Sequence, residues 1–279
     1  MTRLKRGGPD VNGVLFRTDV RRHRTLFIVW VLILPLMSIF RMAGYPEFYE
    51  KYGFAKEALQ EFSPAEVAMF GLADVDMTTI TGYYGARVFS VLVLLGAVYL
   101  IMLGATILSK EEDDNTIEYL LVQPLSRTAI VVTKIAVVIF YAVALNIVLF
   151  LASWAMCAAF QQDGYSLQAL AQLALGSFLV HLMFAAIGFL LSVFVVRSRV
   201  IYPLAIGISL GAYFLQLLAN SSDSAQWLSW FSFFSYVRVG EATKGSAAMD
   251  LAHLLVSLFV IVGCFAAAVF VYRRKDISA

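Results

Sequence analysis

The sequence contains little charge and little cysteine. Charged residues make up 14% of its 279 positions, whereas hydrophobic residues make up 61%. Soluble domains carry about 25% charged residues, so this composition excludes an ordinary soluble protein. The two cysteines, Cys157 and Cys264, fall in apolar stretches and support neither a disulfide framework nor a zinc site. We interpret them as packing residues.

The sequence also lacks a Gly-Lys dipeptide and therefore a Walker-type phosphate-binding loop. Any ATP must be bound by another protein. The apolar stretches hold no cluster of charged residues that could couple a proton or sodium ion, which disfavours secondary transport. An intramembrane protease built on Glu111 and Glu112 is disfavoured as well, because no arginine follows within the next few residues. We therefore expect no catalytic residue, metal site or bound cofactor in this chain.

Long apolar stretches dominate the chain. Each is about long enough to cross a membrane core, which needs roughly 20 helical residues. Because these stretches are apolar on all sides, they exclude the alternating pattern of an outer-membrane barrel and predict a helical bundle. We predict an all-α polytopic membrane protein with one transmembrane domain over residues 1–279. Its six spans are expected at about residues 25–42, 86–108, 132–159, 171–196, 200–219 and 251–272.

Lysine and arginine are distributed unevenly around these spans. If both termini are cytoplasmic, fifteen of the 21 lysines and arginines lie on the cytoplasmic side. This excess follows the positive-inside rule. It predicts cytoplasmic termini. We interpret the first span as a retained anchor, because no small-residue cleavage site follows it.

The segment between the second and third spans is the most informative. Its acidic run, residues 111–114, cannot enter hydrocarbon, so the segment must lie in water. Asn115 followed by Glu118 three residues later is typical of a capped helix start, and Pro124 stops the helix. One helical face is apolar and consists of Ile117, Leu120 and Leu121. The pattern predicts an amphipathic helix over residues 115–123.

This segment resembles the pattern GT-x-E-x-LL-x-x-P-x-SR…GK of ATP-binding-cassette (ABC) type-2 exporter permeases. In that family the pattern forms a cytoplasmic coupling helix that docks on the nucleotide-binding subunit. The sequence departs from it at Asn115 and Thr133, where the family usually has glycine. The similarity is carried by Asn115, Thr116, Ile117, Glu118, Leu120, Leu121, Pro124, Arg127 and Lys134. The first eight of these are the residues that the resemblance assigns to ATPase coupling.

The resemblance implies the permease subunit of an ATP-driven exporter in a prokaryotic cytoplasmic membrane. Such a subunit forms the pathway as a dimer with a second copy or a paralogue. Separate ABC ATPase subunits bind the ATP and magnesium. Membrane lipids are the other expected partner, and no nucleic acid is expected. The alternative is a non-transporting membrane scaffold or signalling protein, in which residues 115–123 are an ordinary amphipathic linker.

Three further segments lie outside the predicted spans. Residues 11–24 are basic and amphipathic, which predicts an interfacial helix similar to the family's elbow helix, or else a basic tail that fixes topology. Residues 43–85 are predicted to fold outside, with a capped helix start at Ser63. Residues 225–245 begin with an aromatic run. They resemble the family's pair of re-entrant helices over the pathway exit, with an interfacial aromatic belt as the alternative.

Few polar residues fall at membrane depth. We take Asn146, His181 and Gln216 as candidate pathway or helix-contact residues, because lipid exposure would leave them unpaired. These residues could form hydrogen bonds between helices or contact a substrate directly, and the sequence leaves both roles possible. Gly207 and Gly211 form a GxxxG step that permits close helix approach.

Overall fold

The computed structural model describes residues 11–52, 63–113, 126–162, 164–195 and 197–274, which are helical apart from short connections. The helices are α1 Gly13–Met42, α2 Tyr45–Tyr52, α3 Pro64–Met69, α4 Ile80–Tyr84, α5 Ser90–Asp113, α6 Arg127–Phe160, α7 Leu167–Phe194, α8 Ser198–Ser221, α9 Val239–Thr243 and α10 Leu251–Arg274. A π-helical turn, Gly85–Phe89, joins α4 to α5. Two 3-10 helices, Asp223–Phe231 and Phe233–Tyr236, follow α8.

Six stretches are long and apolar enough to cross a membrane. They are Gly13–Tyr52, Ile80–Ser109, Arg127–Phe160, Leu167–Phe194, Arg199–Ser221 and Leu251–Arg274. This observation confirms the predicted all-α polytopic class. Helix α6 begins at Arg127, ahead of the span expected at about 132–159, because Ser126 caps it by accepting a hydrogen bond from the Ala129 N–H.

Successive spans alternate in direction, so the bundle has two ends. At one end the Asn12 N–H, just before α1, donates to the Thr133 hydroxyl of α6 over 2.9 Å. At the other end the Ser166 N–H, just before α7, donates to the Thr81 hydroxyl of α4 over 3.2 Å. We call the first the terminal end, because α1 begins and α10 finishes there. The second is the loop end, where α2, α3, α4 and α9 lie.

Helices α5 and α7 form the centre of the bundle and run parallel to each other. Their backbones approach most closely at two glycines. A Cβ atom on Gly104 would lie 2.3 Å from the carbonyl oxygen of Ala185, and a Cβ on Gly188 would lie 2.2 Å from that of Ile101. Real Cβ atoms do not come that close to oxygen, so this crossing requires glycine on both helices.

The remaining spans surround this pair. Helix α1 packs along α6, with the Phe27 and Tyr141 rings 4.9 Å apart, and α10 packs along α7, with the Phe189 and Phe265 rings 5.6 Å apart. Helix α8 lies beside α5. The outer faces of α1, α8 and α10 carry large exposed apolar side chains, including Leu32, Leu36, Phe40, Phe214, Leu218, Phe259 and Val262. Such faces suit lipid tails.

Residues 11–24 do not form a separate elbow helix, in contrast to the expectation from sequence. Asn12 caps α1 by accepting hydrogen bonds from the Val14 and Leu15 N–H groups, and the helix continues without a break to Met42. No proline falls within α1 before Pro35. The basic stretch is therefore the first part of the first span helix, and it is fixed to α6 by contacts described below.

The predicted helix start at Ser63 is present in α3. The Ser63 N–H donates to Glu66 Oε2 over 2.8 Å, and the Glu66 N–H donates to the Ser63 hydroxyl over 3.2 Å. This is the reciprocal capping box that the sequence indicates. The Ser63 backbone hydrogen bond, followed by the bond from its hydroxyl, lowers the pKa of Glu66 below its ordinary value.

Candidate functional site

His181 and Asn146, two of the polar residues selected from the sequence, contact each other inside the bundle. His181 lies on α7, and its Nδ1 is 3.0 Å from Oδ1 of Asn146 on α6. Its Nε2 donates to the Val93 carbonyl of α5 over 3.0 Å, because a carbonyl oxygen can only accept. The Ser177 hydroxyl lies 3.3 Å from Asn146 Oδ1. The cluster therefore joins three spans.

Gly96 on α5 leaves the space that the His181 ring fills. A Cβ atom at position 96 would lie 2.4 Å from His181 Nε2. The imidazole is fully buried, and both of its nitrogens are engaged by protein atoms. This geometry favours a helix-contact role for His181 over direct contact with a substrate.

A small cavity lies beside this cluster, between α4, α5, α6 and α7. Its polar wall includes Asn146 and Ser177, together with the hydroxyls of Ser153 and Tyr84, which lie 2.8 Å apart. The rest of the wall is aliphatic or aromatic. We call this space the inner cavity.

A larger cavity opens at the loop end, where α3, α5, α8 and residues 234–241 meet, and Gln216 of α8 lines it. Its volume is about 230 Å³, and it is open on one side. Its lining combines aromatic rings with polar side chains, including Phe70, Phe89, Phe234, Ser90, Gln216 and Glu241. We call it the loop-end cavity.

The three polar candidates are therefore not brought into one site. Asn146 and His181 line the inner cavity, whereas Gln216 lines the loop-end cavity. Phe89 and Val93 of the π-helical turn and α5 line both spaces and form the wall between them.

Gly207 and Gly211 lie on the outward face of α8. A Cβ atom at either position would meet no atom within 4 Å. Leu204 and Phe214 on the same face are also exposed. Within the described ranges, the GxxxG step is therefore not used for packing one helix of this chain against another.

The aromatic run after α8 is held at the loop end by α10. The His253 ring stacks 4.9 Å from the Trp230 ring and 4.4 Å from the Tyr236 ring. Asp250 accepts a hydrogen bond from His253 Nδ1 over 2.7 Å and forms an ion pair with Arg238. Hydrogen bonding to Asp250, above all from the His253 backbone N–H, lowers the pKa of this carboxyl.

A buried ion pair at the terminal end was not anticipated from the sequence. Nζ of Lys134 on α6 lies 3.3 Å from Oδ2 of Asp19 on α1, and it donates to the Ile107 carbonyl of α5 over 3.1 Å. Lys134 is fully buried and Asp19 is 2% exposed. The pair fastens α1 and α5 to α6. The sequence offered one indication of this pair, namely that Asp19 is an acidic residue inside the basic stretch 11–24.

The segment 114–125, with the predicted coupling helix 115–123, lies outside the described residues. So do seven of its eight candidate residues, namely Asn115, Thr116, Ile117, Glu118, Leu120, Leu121 and Pro124. The eighth, Arg127, is the half-buried first residue of α6. The described flanks are α5, which ends at Asp113, and α6. Lys134 lies about two helical turns beyond Arg127, so the ion pair is close to one end of this segment.

Comparison with known proteins gives one clear result. The model of a family described as ABC-2 family transporter protein matches residues 15–277. The match begins in α1 and extends past α10, so it includes the whole bundle. It confirms the resemblance inferred from the segment between α5 and α6. No curated protein matches the chain.

Proposed function

We propose, because this chain belongs to the ABC-2 family of transporter proteins, that it is the permease subunit of an ATP-driven exporter coupled to separate ATPase subunits. The observation that carries this proposal is the family match over residues 15–277, joined to six helices able to span a membrane. Membership makes the chain a transmembrane permease of an ABC transporter, a class that associates with an ABC ATPase. We further propose that it exports its substrate, that it acts as a dimer, and that the segment 114–125 couples it to the ATPase.

The proposed pathway lies between two permease chains, either two copies or this chain and a paralogue. The outward face of α8 supports this arrangement. Gly207 and Gly211 leave a shallow groove there that no described residue fills. A GxxxG groove allows a second helix to approach closely in lipid, where packing drives association.

The proposed orientation has both termini in the cytoplasm of a prokaryotic cell. Arginines concentrate at the terminal end of the bundle, as the positive-inside rule requires. They include Arg17, Arg21, Arg22, Arg24, Arg273 and Arg274. The segment 114–125 joins α5 to α6 at the same end. The loop-end cavity then faces outward.

The Lys134–Asp19 pair suggests how movement of the coupling segment reaches the bundle. Closure of two ATPase subunits on nucleotide would displace the segment 114–125. Because Lys134 holds α1, α5 and α6 together, these three helices would move as one body. A rigid-body tilt of this kind changes access to a cavity between two chains.

The first test concerns the division of labour between subunits. The purified chain alone should neither bind nor hydrolyse ATP, because it contains no Gly-Lys dipeptide and thus no Walker loop. Nucleotide binding by filter assay and phosphate release measure this. ATPase activity of the chain without a second subunit would overturn the permease proposal.

The second test concerns the coupling helix. If Ile117, Leu120 and Leu121 seat in a groove of the ATPase, Leu121→Asp should weaken that contact by several kcal/mol, because it buries a charge. Glu118→Ala should cost only about 1 kcal/mol, because it removes a cap or one ion pair. Pull-down of the co-expressed ATPase by each variant measures the difference.

Membrane insertion should survive in both variants, since the changes lie outside the spans. Wild-type recovery of the ATPase and intact transport in Leu121→Asp would show that the segment is a simple linker. That result would favour the scaffold alternative.

A further inference from the structure

The loop-end cavity combines the two features that recognise an organic cation. Its lining includes the rings of Phe70, Phe89 and Phe234, whose faces carry partial negative charge. The lining also carries polar side chains, and among them the amide of half-buried Gln216 forms no hydrogen bond with the rest of the described chain. A concave wall that combines aromatic rings with convergent polar groups is typical of a small-molecule site.

Most charges around this cavity are already compensated. Asp74 accepts a hydrogen bond from Lys244 Nζ over 2.9 Å. Arg238 is paired with Asp250, which hydrogen bonds from His253 keep anionic. These two ion pairs are therefore neutral as units and give the cavity no net charge.

Glu241 is the exception. It lies on α9 in the cavity wall and is half-buried. No lysine, arginine or histidine of the described chain lies within 4.0 Å of its carboxylate, although Arg238 is three residues away. Among the described residues, the cavity wall thus holds one carboxylate that has no ion-pair partner, and it lies beside aromatic rings. A half-buried carboxylate beside aromatic faces can act as the counter-charge of a bound organic cation.

We infer that the loop-end cavity binds an organic cation with an apolar body, with the Glu241 carboxylate as its counter-charge. The phenylalanine rings receive the apolar part and contact the cationic centre through their faces. The Gln216 amide accepts or donates a hydrogen bond to a polar substituent. Resting on the proposed function, this inference names lipophilic amines or quaternary cations as the substrate class, at the stage when the substrate leaves the permease.

The direct test uses tetraphenylphosphonium as the probe. Its binding to the purified full chain in lipid nanodiscs is measured by equilibrium dialysis, with empty nanodiscs subtracted. Glu241→Gln keeps the shape and removes the charge, so the dissociation constant should rise about tenfold or more. Glu47→Gln is the matched control, because Glu47 is an exposed carboxylate on α2 at the same end and outside the cavity. It should bind like the wild type.

Charge reversal gives a second measurement. Tetraphenylborate has the same shape as the probe and the opposite charge. Glu241→Lys should lose affinity for the phosphonium and gain affinity for the borate, while keeping the wild-type melting curve. Equal phosphonium binding by the wild type and Glu241→Gln, or equal loss in Glu47→Gln, would overturn the inference.

Failure of the binding-site inference can be distinguished from failure of the permease proposal. Binding is measured without an ATPase subunit, so it does not depend on coupling. If the chain binds no ATPase but binds the probe through Glu241, the permease proposal fails and the site stands. If the probe binds through Glu241 but leaves the ATPase rate of the complex unchanged, the assignment as substrate class is overturned.

Discussion

Replacing Gly188 with valine should destabilise the bundle more than any other single change at a glycine of α7. The new Cβ would start 2.2 Å from the Ile101 carbonyl oxygen, and the contact is backbone, which cannot rotate away. Helices α5 and α7 would have to separate along their central crossing. We expect a loss of about 3 kcal/mol or more, at the upper end of overpacking effects. Thermal unfolding in detergent, followed by near-ultraviolet circular dichroism, measures the loss.

Gly263→Val is the matched control for this prediction. Gly263 is also a mid-span glycine, on α10, but a Cβ there would meet no atom within 4 Å. Its replacement should change stability by no more than about 0.5 kcal/mol. If Gly188→Val and Gly263→Val melt at the same temperature, α5 and α7 do not cross backbone to backbone.

The second large effect concerns the buried ion pair at the terminal end. Lys134→Met removes the charge opposite Asp19 and leaves its carboxylate nearly fully buried. Breaking a buried pair in this way costs about 3–5 kcal/mol. Asp19→Asn combined with Lys134→Met removes both charges and should recover most of the stability. The same unfolding assay measures all three proteins.

An exposed ion pair provides the comparison. Lys244 and Asp74 are similarly close, but their side chains are 51% and 75% exposed. Lys244→Met should therefore cost no more than about 1 kcal/mol. If it costs as much as Lys134→Met, burial does not set the strength of the pair at α1. If the double variant is no more stable than Lys134→Met alone, the lysine acts through its contact with Ile107 and not through Asp19.

Sequence alone was sufficient for features that depend on neighbours along the chain. Span length and hydrophobicity gave the six helices, and cap chemistry gave the helix start after Ser63. These signals are local, because a cap or an apolar run acts within a few residues. The family resemblance also came from one short segment, and the match over residues 15–277 confirms it.

Features that depend on distant residues were not accessible in this way. Asp19 and Lys134 are 115 residues apart, and nothing in either local sequence identifies the other. Polar residues at membrane depth were grouped by depth alone, whereas packing around α5 places Gln216 and His181 in different cavities. The predicted boundary between the elbow helix and the first span rested on the change in composition near residue 24. A change from basic to apolar residues does not break a helix that has no glycine or proline at that point.

Because the first helix is unbroken, a movement of its basic start is transmitted into the membrane. Its 30 residues are about 45 Å long, compared with a hydrocarbon core of about 30 Å. A hinge at residue 24 would let the basic stretch rotate freely at the membrane surface. A continuous rod held at Asp19 carries the same rotation into the bilayer as far as Pro35, which lacks the N–H needed for a helix hydrogen bond. In the proposed orientation, α1 is therefore held through Asp19 near the cytoplasmic surface of the membrane. Pro35, where the helix can bend, lies near the outer surface.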